Sequence, residues 1–182
     1  MKELSLNMLD IAENSVKAGA KHIAVTLVQD GAELSLTVAD DGCGMEEDFV
    51  RSVIDPFCTT RTTRKVGLGI PLLKLAAEQT GGGLTITSRP ASKYPETHGT
   101  EITALFHTDH IDCAPLGDTV ATVKTLIQCN PGIDFVFHHT AGGKEVRLDT
   151  AELRAVLGDV PLDTYEVMQW IEDSLKEQYA AL

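Results

Sequence analysis

Three groups of residues in this 182-residue sequence have types and spacings that could do chemistry. The first is Ala39-Asp40-Asp41-Gly42-Cys43-Gly44-Met45, two carboxylates followed by two glycines. Glycine has no Cβ, so the backbone here can turn sharply and approach a ligand closely. A carboxylate beside such bare backbone can accept a hydrogen bond from a flat polar ligand. A hairpin turn with solvated aspartates accounts for the same residues, since Asp-Gly is a common turn signal. The second group is Asp10, Asn14 and Lys17, spaced to share one face of a helix. A carboxylate, an amide oxygen and an ammonium on one face can hold a water, a magnesium ion and a phosphate, because magnesium takes hard oxygen ligands. A solvated polar face has the same pattern. The third is Gly67-Leu68-Gly69, preceded by Arg61, Arg64 and Lys65. A Gly-x-Gly turn feeding a helix offers free N–H groups and a positive dipole end to an anion. It is also an ordinary loop sequence, and no Walker A motif or complete G-x-G-x-x-G is present.

The elements that must position these groups can be read around them. Leu34 to Val38 alternates apolar and polar residues into the aspartates, the period of a half-buried strand. With Lys21 to Val28 it predicts a hairpin about Gln29-Asp30-Gly31. Residues 5–18 predict a helix with Leu6, Leu9, Ala12, Val16 and Ala18 as its apolar stripe, ended by Gly19. Glu46 to Asp55 predicts a short helix, with Phe49, Val53 and Ile54 inward, stopped by Pro56. Residues 57–66 read as a polar, basic loop. Pro71 suits the first turn of a helix running to Gln79. Strands are expected at Leu84 to Ser88 and Glu101 to His107. Beyond them the sequence predicts a helix over 117–129 and a hairpin of 133–140 with 144–149. Thr150 is expected to cap a helix to Leu157, and Asp163-Thr164-Tyr165-Glu166 to form a capping box opening a last helix.

Composition narrows the classes. The net charge of −12 argues against a nucleic-acid partner. Residues 109–182 carry −8 of it and residues 1–108 carry −4. No apolar run approaches the roughly 20 residues of a membrane span, and Met1-Lys2-Glu3-Leu4-Ser5 has no apolar signal core, so no membrane association is expected. Four scattered cysteines without C-x-x-C fit reduced thiols in the cytoplasm. His138 and His139 are adjacent in a strand, hence on opposite faces, which argues against a metal there.

Taken together, these pieces resemble the GHKL superfamily of ATPases, which includes DNA gyrase B, the heat-shock chaperone, histidine kinases and MutL. The resemblance covers roughly residues 5–107. Glu13-Asn14-Ser15, Ala18-Gly19-Ala20-Lys21 and Asp40-Asp41-Gly42-Cys43-Gly44 look most like MutL. Pro56-Phe57-Cys58-Thr59-Thr60-Arg61, Gly67-Leu68-Gly69-Ile70 and Gly99-Thr100 look like histidine kinases. It implies an α/β fold, an α+β two-layer sandwich whose mixed sheet is covered on one face by helices. The domain would span 1–108, with a small α/β extension over 109–182.

The resemblance also implies roles. Asn14 would hold magnesium and Lys17 would reach phosphate. Asp40 would accept the adenine amino group, with Gly42, Gly44 and Thr100 about the base. Residues 46–66 would form a lid carrying Arg61. Gly67, Leu68 and Gly69 would give N–H groups to the phosphates. Asp10 falls where MutL and gyrase keep a water-activating glutamate, and is a candidate general base one methylene shorter. The chain begins a few residues before the Asn helix, leaving no room for a phosphoacceptor helix pair, so a stand-alone protein is expected. The expectation is an ATP- and magnesium-dependent histidine-kinase-like signalling protein, either hydrolysing ATP slowly or transferring its γ-phosphate to a regulatory partner protein. Homodimerisation is compatible with it. The alternative is a nucleotide-gated protein-binding module.

Overall fold

Alternation at period two dictates the sheet. In β1 (His22–Asp30) and β2 (Glu33–Asp40) the residues Ile23, Val25, Leu27, Leu34, Leu36 and Val38 are buried while their neighbours are not. The computed structural model describes residues 3–54 and 68–182. Its sheet has six strands in the order β3-β4-β2-β1-β5-β6, completed by β3 (Gly83–Arg89), β4 (Gly99–His107), β5 (Asp134–Ala141) and β6 (Lys144–Asp149). It is mixed: β5 runs parallel to β1, and every other neighbour is antiparallel. Register carries one apolar face across the strands. Val25 lies between Val38 and Phe137, and Leu36 is opposite Ala104. The expected mixed sheet with a helical layer is thus the fold observed.

The helices are α1 (Leu4–Lys17), α2 (Glu47–Ile54), α3 (Gly69–Gln79), α4 (Thr119–Cys129), α5 (Thr150–Leu157) and α6 (Tyr165–Ala181). Residues 109–182 extend the same sheet, through β5 on β1, and pack α4 against α1 and α6. The linker ahead of α4 also ties down the start of α1, where the N–H groups of Leu4 and Ser5 donate to the Pro115 and Leu116 carbonyls at 2.9 and 2.8 Å.

Three local expectations need correction. The buried stripe of α1 is Leu4, Met8, Ile11, Ala12 and Ser15, whereas Leu6 is 41% exposed. Thr150 does not cap α5. The Asp149 carboxylate accepts from the N–H groups of Ala151 and Glu152, and Thr150 Oγ1 accepts from the Phe135 N–H inside the core. The capping box of α6 is not made: Thr164 occupies the N-cap, and its hydroxyl donates to the Pro161 carbonyl at 3.1 Å.

Candidate functional site

A cleft of about 680 Å³ opens between α1, α2, the glycine turn after β2 and the segment after β3. Its walls include Asn14 and Lys17 of α1, Ala18 just past it, Gly44 and Met45 of the turn, and Phe49 of α2. Ile70 of α3 and Pro90 and Ser92 after β3 close the rest. The turn is possible because Gly44 sits at φ +66°, and a Cβ there would lie 2.0 Å from the Arg89 carbonyl oxygen. Main chain packs on main chain at that point, which only glycine permits. The Cys43 N–H donates to the Ala18 carbonyl at 2.9 Å, fastening the turn to the end of α1.

Asp40 ends β2, and its register partners fix which way it faces. It is opposite Ile23 of β1 and Thr100 of β4, so its side chain lies on the helical face. Ser15 of α1, only 4% exposed, donates its hydroxyl to Asp40 Oδ2 at 2.5 Å. Asp40 Oδ1 accepts from the Gly42 N–H at 2.9 Å and the Thr100 N–H at 3.2 Å. A carboxylate offers about four lone-pair sites, so three internal donors leave Oδ2 room for one more. Asp40 also borders a hollow of about 400 Å³ with His22, Asp41 and Asp134. Its carboxylate nonetheless belongs to the helical side, since Ser15 reaches it from there.

Asp41 points elsewhere. Its Oδ1 accepts from the N–H groups of Lys21 and His22 at 2.7 and 2.9 Å, and its Oδ2 lies 2.7 Å from His22 Nδ1. That hydrogen bond raises the His22 imidazole above its ordinary range, with Asp41 and Asp134 adding their charge. Burial pushes the Asp41 carboxyl up, but the two N–H groups and the imidazole outweigh it and hold the carboxyl low.

At the other end of the cleft α3 begins. Gly69 is set against α1: a Cβ on it would lie 3.3 Å from Asp10 Cβ, 3.6 Å from Asn14 Nδ2 and 3.8 Å from Asp10 Oδ2. Leu68, at the N-cap, makes no side-chain cap. The intrahelical ladder opens with the Leu72 N–H on the Leu68 carbonyl, and Pro71 has no N–H to offer. Among the described residues the first N–H groups of α3 therefore find no acceptor, and they lie beside an amide and a carboxylate. Lys17 lines the cleft with its ammonium 3.6 Å from Glu13 and 71% exposed.

The structure therefore brings together Asp40, Gly42 and Thr100 behind the glycine turn that walls the cleft, and Asp10, Asn14 and Gly69 at the start of α3, with Leu68 at its N-cap; of these, Asn14 lines the cleft itself, as do Lys17 and Gly44. Arg61, Gly67 and most of the expected lid lie outside the described residues. Sequence reasoning missed four supports. Ser15 holds Asp40. Ser88 Oγ lies 2.8 Å from Thr100 Oγ1 and accepts from the Met45 N–H at 2.7 Å. His98 Nδ1 is 2.6 Å from the Gly42 carbonyl, and Pro90 walls the cleft. The cross-strand register of Ser88 on Thr100 and the position of Ser15 directly after Asn14 were the available signals. Among the described residues no cluster of metal-ligating side chains is found, and no helix is long and apolar enough to cross a membrane.

Comparison with known proteins bears on the family and the fold. The family described as histidine kinase-, DNA gyrase B- and HSP90-like ATPase matches residues 2–110. The sensor histidine kinase CitA of Klebsiella pneumoniae is 30% identical over 83 residues, 44% of this chain and 15% of that protein. The DNA mismatch repair protein MutL of Rhizorhabdus wittichii is 38% identical over 52 residues, 29% of this chain and 9% of that protein. The chain thus matches only a small part of these relatives' length. The Aquifex aeolicus MutL ATPase domain complexed with ADP superposes with a TM-score of 0.57 at 14% identity, covering 86% of this chain and 69% of that one, a likeness of fold.

Proposed function

The chain belongs to the histidine kinase-, DNA gyrase B- and HSP90-like ATPases, and from that premise we propose that it binds ATP with magnesium in this cleft and either hydrolyses it slowly or passes the γ-phosphate to a regulatory partner protein. The observation that carries the reading is the pairing of two ends along one cleft. Asp40, with one acceptor site left over, stands behind the turn of residues 42–44 that walls one of them. The uncapped start of α3, beside Asn14 and Asp10, stands at the other.

The spare lone pair of Asp40 suits the exocyclic amine of adenine and repels the carbonyl that guanine carries at the same position. Gly44, Met45 and Ala18 leave flat, apolar walls for the ring. At the far end the N–H groups of Leu68, Gly69 and Ile70 would receive phosphate oxygens, helped by the helix dipole. Asn14 and Asp10 are hard oxygen donors of the kind magnesium takes. Asn14 would hold the ion, which when bound neutralises charge on the phosphate oxygens. Lys17 is close enough along the same helix face to reach phosphate once released from Glu13.

Asp10 is the candidate general base. A base within reach contributes about 10²–10⁴-fold, and a misplacement of about 1 Å can cost about 10²-fold. Its short side chain therefore favours slow hydrolysis. That same shortness supports a second reading, a nucleotide-gated binding module with negligible turnover. A reducing compartment, the cytoplasm, suits the scattered cysteines.

Calorimetry with ATP, GTP and ADP, with and without magnesium, tests the binding. ATP is expected to bind and GTP not, and equal affinity for both would overturn the reading. Incubation with γ-labelled ATP then separates the two activities: Asp10→Glu is expected to speed phosphate release and Asp10→Asn to abolish it while sparing binding. Hydrolysis at the wild-type rate by Asp10→Asn would remove Asp10 from the chemistry.

A further inference from the structure

The geometry points to a second binding surface, on the C-terminal half: a groove between α5 and α6 that receives a basic, amphipathic helical segment of a partner protein. The groove measures about 480 Å³ and is lined by Leu153, Val156 and Leu157 of α5 with Glu166, Val167 and Trp170 of α6. Val156 is 86% exposed and Trp170 54% exposed. Large apolar side chains left in water around a concavity mark a surface that a partner covers. A groove between two helices is the shape an amphipathic helix enters. Tryptophan is among the side chains most enriched as interface anchors.

Charge decides the occupant. On α6, Glu166, Trp170, Asp173 and Glu177 fall at spacings that share one face. Asp159 follows the end of α5. The cations of this half are largely engaged already. Lys124 and Lys176 both hold Glu172, pulling its carboxyl down to about 2. Arg147 holds Asp149 and Glu152, and Arg154 holds Asp134 at 2.8 Å. What remains around the groove is acidic, in a half that carries −8. A second copy would set that charge against itself, and an anionic membrane would be repelled in the same way. A partner helix with a large apolar residue between Val156 and Trp170, and lysine or arginine one turn to either side, meets Glu166 and Asp173 with opposite charge. The inference stands apart from the nucleotide reading and needs no nucleotide for its test.

Trp170 is the only tryptophan in the sequence, so its emission reports on the groove directly. The probe is a synthetic leucine–lysine peptide of about 18 residues, long enough to become helical on binding. The control is a peptide of the same composition with the helical spacing scrambled. The amphipathic peptide is expected to shift Trp170 emission to the blue and to bind about tenfold or more tightly than the scrambled one. Val156→Lys, at a position already in water, is expected to fold normally, leave ATP titrations unchanged and weaken the peptide about tenfold or more. Equal binding by the scrambled peptide, or by Val156→Lys, overturns the proposal, since attraction to general acidity would then explain everything. A concentration-dependent dimer that Val156→Lys abolishes overturns it in favour of a second copy. A blue shift with phosphatidylglycerol–phosphatidylcholine vesicles overturns it in favour of lipid.

Discussion

Two substitutions at Asp40 separate what that carboxylate does for the ligand from what it does for the fold. In Asp40→Asn the remaining oxygen still accepts the Gly42 and Thr100 N–H groups, found at 2.9 and 3.2 Å. The new amide nitrogen replaces Oδ2 and donates to Ser15 Oγ, which accepts as readily as it donates. All three internal contacts survive, so the melting temperature should move by no more than about 2 °C, the shift of a few tenths of a kcal/mol at this chain length. In the proposed nucleotide complex, however, the adenine amine would then face a donor and no charge. Loss of a hydrogen bond to a charged group costs about 1.5–3 kcal/mol, which is about ten- to hundredfold in ATP affinity. Asp40→Ala strands the Ser15 hydroxyl and two N–H groups as well. Each unsatisfied buried donor costs about 1–3 kcal/mol. The half-buried site admits water to some of them, leaving a loss of about 2–3 kcal/mol and about 5–10 °C in melting temperature. Calorimetry with ATP and thermal melts of the three proteins measure both effects. ATP binding by Asp40→Asn at wild-type affinity would refute the assignment of the base. Equal melting of the alanine and asparagine variants would refute the network that holds Asp40.

Gly44→Ala should lose at least about 2 kcal/mol of stability and most ATP affinity, since a Cβ 2.0 Å from the Arg89 carbonyl oxygen must push the turn off β3; urea titration with ATP calorimetry measures it. Asn14→Ala should leave the melting curve unchanged without ligand and make ATP affinity independent of magnesium, read by titration with and without the ion. His139 is buried with Nδ1 2.9 Å from Tyr179 Oη, its Nε2 unpartnered among the described residues, and its pKa lowered by burial and by His138. The unfolded chain therefore binds a proton first as pH falls, so stability is lost below the ordinary histidine value near 6.5. His139→Gln should flatten that acid limb in urea titrations across pH. His22, raised by Asp41, contributes in the opposite direction: its pairing is complete below 6.5 and fades as pH rises through its folded value, and because it is exposed its contribution stays within about 0.2–1 kcal/mol.

What the sequence makes legible here is local and periodic. The hairpin of β1 and β2, the turn at Asp40 to Gly44 and the start of α3 near Pro71 follow from alternation, glycine and proline. The mistakes arise where burial is polar. Ser5, Asn7 and Ser15 lie on the buried side of α1, so counting apolar residues shifted the stripe towards Leu6. The partner that makes Ser15 worth burying is Asp40, 25 residues away. The supports from Ser88 and His98 likewise depend on register and loop geometry across 43 and 56 residues. The parallel pairing of β5 on β1 follows from no turn signal, because the two strands are joined through most of the chain.

The cleft is built unequally at its two ends, and the inequality bears on mechanism. At the Asp40 end, backbone is locked against backbone. A Cβ on Gly44 would lie 2.0 Å from the Arg89 carbonyl oxygen, and one on Gly99 would lie 2.0 Å from the Asp40 carbonyl oxygen. A Cβ on Gly42 would lie 2.8 Å from Ala18 Cβ. These close approaches hold the turn rigidly in place, so a flat ligand bound there, as proposed, would meet a preorganised site and cost little ordering on binding. At the α3 end the groups are the side chains of Asp10 and Asn14, set against Gly69, and the first N–H groups of the helix. One helix serves both: Ser15 is pinned to Asp40, while Asp10 and Asn14 face Gly69. Asp10 lies five residues earlier, about 7.5 Å along the axis. A ligand fixed at the Asp40 end, as proposed, would thereby be carried along α1 towards the start of α3. If the proposed nucleotide reading holds, an element that moved α3 against α1 would change the handling of phosphate and leave recognition of the base intact.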